Sequence, residues 1–127
     1  MTMFKEVNAF SSFSVNGIPE TEEFYAHTLG LEISHSMGQI ILHIAGGGTL
    51  FVYAKPNHVP ATYTVLNFPV KNLEEAMDEL RARGVEFIIY NEEDFKTDER
   101  GVFQGDGPKI AWFKDPSGNI LSVLENE

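Results

Sequence analysis

Histidine is the residue type in this sequence best suited to chemistry near neutral pH, either as a metal ligand or in proton transfer. The chain has four histidines and no cysteine, which excludes thiolate metal sites, disulfides and cysteine nucleophiles. His43 lies in the middle of an apolar, strand-like stretch and is the one that could face a binding site. A metal needs several converging N or O donors, and no partner for His43 is evident in the sequence. We therefore interpret His43 as a polar anchor or a proton-transfer group.

Charge and motif content exclude several other functions. The formal net charge of −10 argues against nucleic acid, which requires clustered Lys and Arg, although it could draw a cationic ligand into a cleft. No apolar stretch reaches membrane-spanning length, and no phosphate-binding loop, dinucleotide fingerprint or nucleophile elbow is present. The lack of cysteine and of a secretory signal fits a cytoplasmic protein.

The elements that would position these residues form an internal repeat. A strand ending at Val15 is followed by a helix-like segment and Gly30, and a strand ending at Val70 by a similar segment and Gly84. Three further strands are predicted after each glycine, over residues 31–36, 39–45 and 49–54 in the first copy and 85–90, 109–114 and 119–125 in the second. The pattern predicts one α+β domain with two βαβββ modules, at about 1–55 and 62–127, joined by a linker at about 56–61.

The second predicted helix has the clearer local signals. Asn72 is a good N-cap, Glu75 follows at the spacing of a capping box, and Gly84 suits the left-handed residue that ends a helix. Leu73, Ala76, Met77 and Leu80 form one apolar stripe, which we interpret as core packing.

Several motifs occur in an order and spacing that resemble one known family. They are Phe24-Tyr25, Leu29-Gly30-Leu31, the segment 81–87 and the turn 113–119. Together with the repeat, they resemble the glyoxalase, bleomycin-resistance and dioxygenase superfamily, also called vicinal oxygen chelate proteins, over nearly the whole chain. The resemblance implies that the curved sheets of the two modules form a cup, and that the protein is a homodimer.

Enzymes of this family usually hold a divalent metal in the cup through His, Gln or Glu at four strand positions. The resemblance carries these positions over to Phe10, to Phe51 or Val52, to Val65 and to Ser122. None of these side chains is a usual ligand for a divalent metal, and their neighbours along the strands offer no carboxylate or imidazole. We therefore predict no metal and no other cofactor.

Strand alternation predicts a different lining for the cup, one that is largely aromatic and apolar with a few hydroxyls and an amide. Ligand pockets commonly have this composition, although a filled core without a pocket would use the same residue types. The predicted ligand-binding residues are Phe10, Ser12, His43, Phe51, Tyr63, Val65, Asn67, Phe103, Trp112 and Ser122.

The favoured function is a metal-independent small-molecule binding protein, similar to the bleomycin-resistance-type members of the family. Its predicted partner is a small hydrophobic or aromatic ligand, and the acidic charge favours a cationic one. Three alternatives stay open: a glyoxalase-like lyase or isomerase or a dioxygenase with an atypical site, a non-metal enzyme that uses His43 or Tyr63 as acid or base, and a non-catalytic interaction module.

Residues 91–107 account for most of the extra length of the second module. The segment is charged and rich in glycine, which predicts a mobile loop. It also contains Phe95 and Phe103, and a loop that faces only solvent has little use for them. We expect it to cover the mouth of the cup, with Phe95 or Phe103 pointing inward, and to become ordered when ligand binds.

Overall fold

The computed structural model of this chain describes residues 3–126. Its internal contacts divide the chain into two compact units, Met1–His58 and Val59–Glu127, and the division falls inside the predicted linker. Each unit contains a sheet of four strands with helical structure, which confirms the predicted α+β class. In the described part of the chain, no helix has the length and apolar character needed to span a membrane.

Unit 1 has one mixed sheet and one helical segment. Its elements are β1 (Ser11–Val15), α1 (Ile18–Glu22), a π-helical turn (Glu23–Thr28), β2 (Glu32–Ser36), β3 (Gln39–His43) and β4 (Thr49–Ala54). The strand order is β1-β4-β3-β2, in which β1 is parallel to β4 and the other neighbours are antiparallel.

The core of unit 1 lies on the face of the sheet that contacts the helical segment. Val15, Ile40 and Val52 are fully buried there, and so is Tyr25 of the π-helical turn. The ring of Tyr25 lies 6.1 Å from the ring of Phe13 in β1. Because side chains alternate along each strand, the opposite face carries Ser12, Ile41, His43 and Phe51, and we call it the open face of unit 1.

Like unit 1, unit 2 begins with a strand and a helix and continues with further strands. Its elements are β5 (Thr64–Val70), α2 (Leu73–Ala82), β6 (Asn91–Glu92), β7 (Phe95–Lys96), β8 (Val102–Phe103), β9 (Ile110–Lys114) and β10 (Ile120–Glu125). The main sheet has the order β5-β10-β9-β8, with β5 parallel to β10, and β6 and β7 form a separate hairpin.

Helix α2 begins and ends where its local signals predict. The side chain of Asn72 accepts a hydrogen bond of 3.0 Å from the backbone N–H of Glu75, which confirms the N-cap. Leu73 and Met77 are buried against the sheet, together with Leu121 of β10. Gly84 has a φ of 91°, a left-handed conformation that glycine adopts without strain and that stops the helix.

The strand predicted over residues 85–90 is not continuous, and this corrects the sequence-based assignment. Phe87 forms an isolated bridge with Phe113, and the N–H of Ile88 donates to the carbonyl of Trp112 at 2.8 Å. Further along the same edge of β9, the pairing is taken over by β8. The residues between Ile88 and β8 leave the sheet and return, so two separate segments occupy the position of one strand.

Candidate functional site

The open face of unit 2 is the side of its main sheet that carries Trp112, Ser122 and Asn67. Trp112 lies opposite Ser122, and Ser122 lies opposite Asn67, so the register brings these three predicted residues together on one face. Ser122 is fully buried, and its hydroxyl donates a hydrogen bond to the amide oxygen of Asn67. This bond satisfies the buried hydroxyl and fixes the orientation of the exposed amide.

A register shift in β5 adds a residue that the sequence did not point to. Ile120 is paired with Thr64, but the next residue, Leu121, is paired with Leu66, so the parallel strand contains one extra residue. Thr64 is thereby placed on the open face, and its hydroxyl accepts a hydrogen bond of 3.2 Å from the indole Nε1 of Trp112. Val65 is the extra residue and is half-buried; its predicted contact with a ligand stays a prediction.

Four aromatic rings meet on this face, and we call them the aromatic cluster: Tyr90, Phe95, Phe103 and Trp112. The ring centroid of Trp112 lies 5.6 Å from that of Tyr90 and 5.2 Å from that of Phe95, both in edge-to-face contact. The ring of Phe103 lies 4.8 Å from that of Phe95. These are the separations at which aromatic pairs attract each other.

The segment predicted as a loop contains regular structure that presents two of these rings. The N–H of Thr97 donates to the carbonyl of Tyr90 at 3.0 Å, which closes the hairpin formed by β6 and β7. After the hairpin, the carboxylate of Asp98 accepts from the N–H groups of Arg100 and Val102, both at 2.9 Å. Phe95 and Phe103 therefore lie against Trp112 on the open face of unit 2, while the mobility of the segment stays a prediction.

The hairpin also brings a carboxylate to the aromatic cluster. Glu92 is the direct pairing partner of Phe95, and directly opposed residues in an antiparallel pair project from the same face. Burial raises the pKa of the Tyr90 hydroxyl, and the negative charge of Glu92 adds to this rise in pKa. Both effects disfavour the tyrosinate form, so Tyr90 is a neutral phenol at physiological pH.

On the open face of unit 1, His43 is fixed by a hydrogen bond. Its Nε2 lies 2.8 Å from the hydroxyl of Ser34, and its side chain is half-buried. The rings of Phe51 and Tyr53 are stacked on the same face at 6.0 Å. This arrangement gives the histidine a fixed orientation and leaves its second ring nitrogen for a further contact.

The remaining predicted residues differ in exposure. Phe10 precedes β1 and is 65% exposed, and Tyr63 precedes β5 and is 70% exposed. Ser12 lies opposite Phe51 on the open face of unit 1. Val52 is fully buried on the other face, so of the two positions that the resemblance left open, Phe51 is the one on the open face.

The residues at the metal-binding positions of the family do not fit a metal. Phe10, Phe51 and Val65 have hydrocarbon side chains, and the hydroxyl of Ser122 is engaged by Asn67. Within residues 3–126, no group of three or more His, Asp or Glu side chains is placed to hold a metal ion. The other three histidines each have a protein partner: His27 lies near Glu23, His35 near Glu22 and His58 near Ser14.

A surface groove of about 320 Å³ lies elsewhere in unit 2, between the end of α2 and the turn before β8. Its lining includes Arg81 and Arg100, but neither arginine is available as an anion site. Arg100 pairs with Glu74, while Arg81 donates to the carbonyl of Arg100 at 2.8 Å and lies 5.1 Å over the ring of Phe87. We therefore favour the open face of unit 2, whose aromatic and hydroxyl groups suit a ligand better.

The sequence matches the family model of the Glyoxalase/Bleomycin resistance protein/Dioxygenase superfamily over residues 8–123. The chain belongs to this superfamily. The sequence-based resemblance to the superfamily is therefore confirmed, and the match extends over both units. No curated protein matches the sequence.

Solved structures with the superfamily fold are similar to this chain along most of its length. An antibiotic binding protein from a Streptomyces species has 18% identity and a TM-score of 0.69, with 96% of this chain and 98% of that chain covered. A fosfomycin resistance protein from Listeria monocytogenes has 14% identity and a TM-score of 0.70, with coverages of 94% and 92%. A superfamily member from Sphaerobacter thermophilus has 20% identity and a TM-score of 0.66, with coverages of 94% and 98%. Likeness at this identity establishes a shared fold and no shared activity.

Proposed function

We propose that this protein binds a small hydrophobic or aromatic molecule without a metal, and that the ligand stacks on the aromatic cluster of unit 2. The observation that supports this most directly is the arrangement around Trp112. Three other rings surround the indole, and its N–H is bonded to Thr64. An apolar surface with a few fixed polar groups is the usual composition of a ligand site.

The polar groups on the same face supply orientation for such a ligand. The side chain of Asn67 is exposed, and its amide oxygen accepts from Ser122, which leaves the amide N–H₂ as a donor. A planar ligand on Trp112 would therefore meet a donor at the side of the sheet toward β5. This combination favours an aromatic molecule with a carbonyl, ether or hydroxyl oxygen near its ring.

The structural neighbours include an antibiotic binding protein and a fosfomycin resistance protein, and the site chemistry of this chain favours binding. A metal-dependent mechanism needs ligands that this chain lacks at the family positions, where Phe51 and Val65 stand. Binding by rings and hydrogen bonds needs no metal. We infer a role in sequestering or carrying its ligand, and place it in the cytoplasm because the chain has no cysteine to form disulfides.

The test is a ligand screen by thermal shift, with affinities measured by calorimetry on wild type and two variants. Trp112→Leu removes the stacking surface and should weaken binding of any hit about fivefold or more, because stacking on an aromatic side chain contributes about 1–3 kcal/mol. Phe87→Leu is the matched control. It also replaces an aromatic ring with leucine, but the ring of Phe87 packs against Phe113 on the other side of the same sheet. Equal affinity in wild type and Trp112→Leu would refute this site.

The homodimer expected for the family is part of the proposal. β1 and β5 each lie at the edge of a sheet, and edge strands leave backbone N–H and C=O groups for another chain to pair with. Light scattering at high protein concentration should give twice the mass of the 127-residue chain. A monomeric mass would contradict it.

A second candidate function is acid–base catalysis by His43, favoured by its hydrogen bond to Ser34. The bond fixes the imidazole on the open face of unit 1, as proton transfer requires. Mass spectrometry of each hit after incubation with the protein tests this candidate. Conversion by wild type and not by His43→Gln supports it, and recovery of unchanged ligand contradicts it.

A further inference from the structure

We propose that the ligand is an aromatic cation, and that Glu92 is the residue that selects its positive charge. The inference rests on the proposed function, because it concerns the same site in unit 2. It names the chemical class of the ligand, which carries a quaternary or protonated nitrogen within or attached to an aromatic ring. It also assigns the selection of this charge to a residue in the hairpin.

The first support is the position of Glu92 relative to the rings. Glu92 and Phe95 form a directly opposed pair in the hairpin, and the ring of Phe95 lies 5.0 Å from that of Tyr90 and 5.2 Å from that of Trp112. The carboxylate therefore projects on the side of the hairpin that faces the aromatic cluster. A ligand that stacks on these rings would therefore have the negative carboxylate of Glu92 next to its edge.

The second support is that the charge of Glu92 is not neutralised by the protein. Among the described residues no ion pair involves Glu92, although other surface carboxylates such as Glu74 and Glu79 are paired with arginines. The hairpin has one lysine, Lys96, but it pairs with Asn91, the residue before Glu92, and so projects from the opposite face. A cation bound at the cluster would be the first counter-charge for this carboxylate.

The third support is the chemistry of the rings themselves. A cation over the face of Trp or Tyr is attracted by the ring quadrupole, most strongly for Trp, and the attraction increases when the site is partly desolvated. The cluster has one Trp, one Tyr and two Phe rings, and Glu92 acts on the same group of rings, since its negative charge adds to the raised pKa of Tyr90. The faces of the rings and the carboxylate of Glu92 thus attract the same class of ligand, an aromatic cation.

The experiment uses three bicyclic probes of similar shape on the full chain: N-methylquinolinium as the cation, 1-methylnaphthalene as the neutral isostere and 1-naphthoate as the anion. Calorimetry at low salt should give the cation an affinity about tenfold higher than that of the neutral isostere, as expected for a partly desolvated cation–π contact with a nearby carboxylate. The naphthoate should bind most weakly. Added salt should weaken binding of the cation alone.

Two variants with the same change in net charge separate a local effect from a general one. Glu92→Gln should weaken binding of the cation about fivefold to tenfold and leave the neutral isostere unchanged. Glu99→Gln, on the groove side of unit 2, should change neither affinity by more than about twofold, because its charge is screened by solvent.

The outcomes distinguish the two proposals. If the neutral isostere binds as tightly as the cation and the Trp112→Leu variant loses both, the site is right and the inference about charge is overturned. If Glu92→Gln and Glu99→Gln weaken the cation equally, net charge rather than Glu92 is responsible, and the specificity role is overturned. If no probe binds wild type at millimolar concentration, the proposed function and the inference both fail.

Discussion

The indole N–H of Trp112 donates to the hydroxyl of Thr64 across an intervening strand, at a distance of 3.2 Å. Trp112 lies on β9 and Thr64 on β5, with β10 between them in the sheet. The bond holds the indole in one orientation on the open face of unit 2. It depends on the register shift between β5 and β10, because the shift places Thr64 opposite Ile120.

Replacing Thr64 with valine should therefore destabilise unit 2 and allow the indole ring of Trp112 to adopt more than one orientation. The substitution keeps the shape of the side chain but leaves the half-buried indole N–H without its acceptor, which costs about 1–2 kcal/mol of unfolding free energy. Urea denaturation measures the loss, and the fluorescence of the single tryptophan reports the change in its environment. Thr62→Val is the control, since Thr62 is exposed and should be neutral. Equal stability of the two variants would show that the bond contributes little.

A second prediction concerns the ionisation of Tyr90. Its pKa is raised from the ordinary value of 10.0 by burial and by the charge of Glu92, so its tyrosinate should form at a higher pH than that of a free tyrosine. The native state then binds this proton more tightly than the unfolded chain does. The ionisation of Tyr90 therefore leaves the free energy of unfolding unchanged below the unfolded pKa of 10.0, and should lower it as the pH rises through the native pKa.

Ultraviolet titration of the tyrosinate band in wild type, Tyr90→Phe and Glu92→Gln tests this ionisation. Subtracting Tyr90→Phe isolates the titration of Tyr90. In Glu92→Gln the pKa of Tyr90 should move toward 10.0 but stay above it, because burial is the larger of the two causes. An unchanged pKa in Glu92→Gln would place the carboxylate too far from the aromatic cluster to select a ligand's charge.

The third prediction is that the purified protein contains no stoichiometric transition metal. The positions that hold metal in the enzymes of the family are here Phe10, Phe51, Val65 and Ser122. Elemental analysis after purification without chelator should give far less than one Zn, Fe, Mn or Ni per chain. One metal per chain that resists mild chelation would mean that other donors in the chain bind it.

Local signals explain which parts of the fold could be predicted. Asn72, the apolar stripe of α2 and Gly84 act within a few residues of each other, so the bounds of that helix follow from the sequence. The faces of β9 and β10 follow from simple alternation, which placed Trp112 and Ser122 together.

The parts that could not be predicted depend on pairing between distant residues. Nothing local distinguishes Thr64 from Val65, because the extra residue in β5 is defined only by its register against β10. Likewise, the segment 85–90 has the composition of a full strand, and the sequence does not show that β8 takes over the pairing with β9. Glu92 was also missed, because its position beside Phe95 requires the hairpin register.

The last prediction concerns the hairpin of β6 and β7 in the free and ligand-bound protein. Each of its strands has two residues, and a hairpin of that size is marginal in water without further packing. Its packing comes mainly from the ring of Phe95 against Tyr90, Phe103 and Trp112. In the free protein, hydrogen exchange at the N–H of Thr97, which closes the hairpin, should therefore be much faster than at Leu121 in the central strand β10.

A ligand that stacks on the aromatic cluster should slow exchange at Thr97 and leave exchange at Leu121 nearly unchanged, because the hairpin forms one side of the site. Phe95→Ala removes the packing and should make the hairpin amides exchange at nearly the rate of an unfolded peptide, with or without ligand. Lys96→Ala, on the other face of the hairpin, should behave as wild type. Protection of Thr97 as strong as that of Leu121 in the ligand-free protein would show that the hairpin is a fixed part of the fold, and the expectation that residues 91–107 become ordered on ligand binding would be wrong.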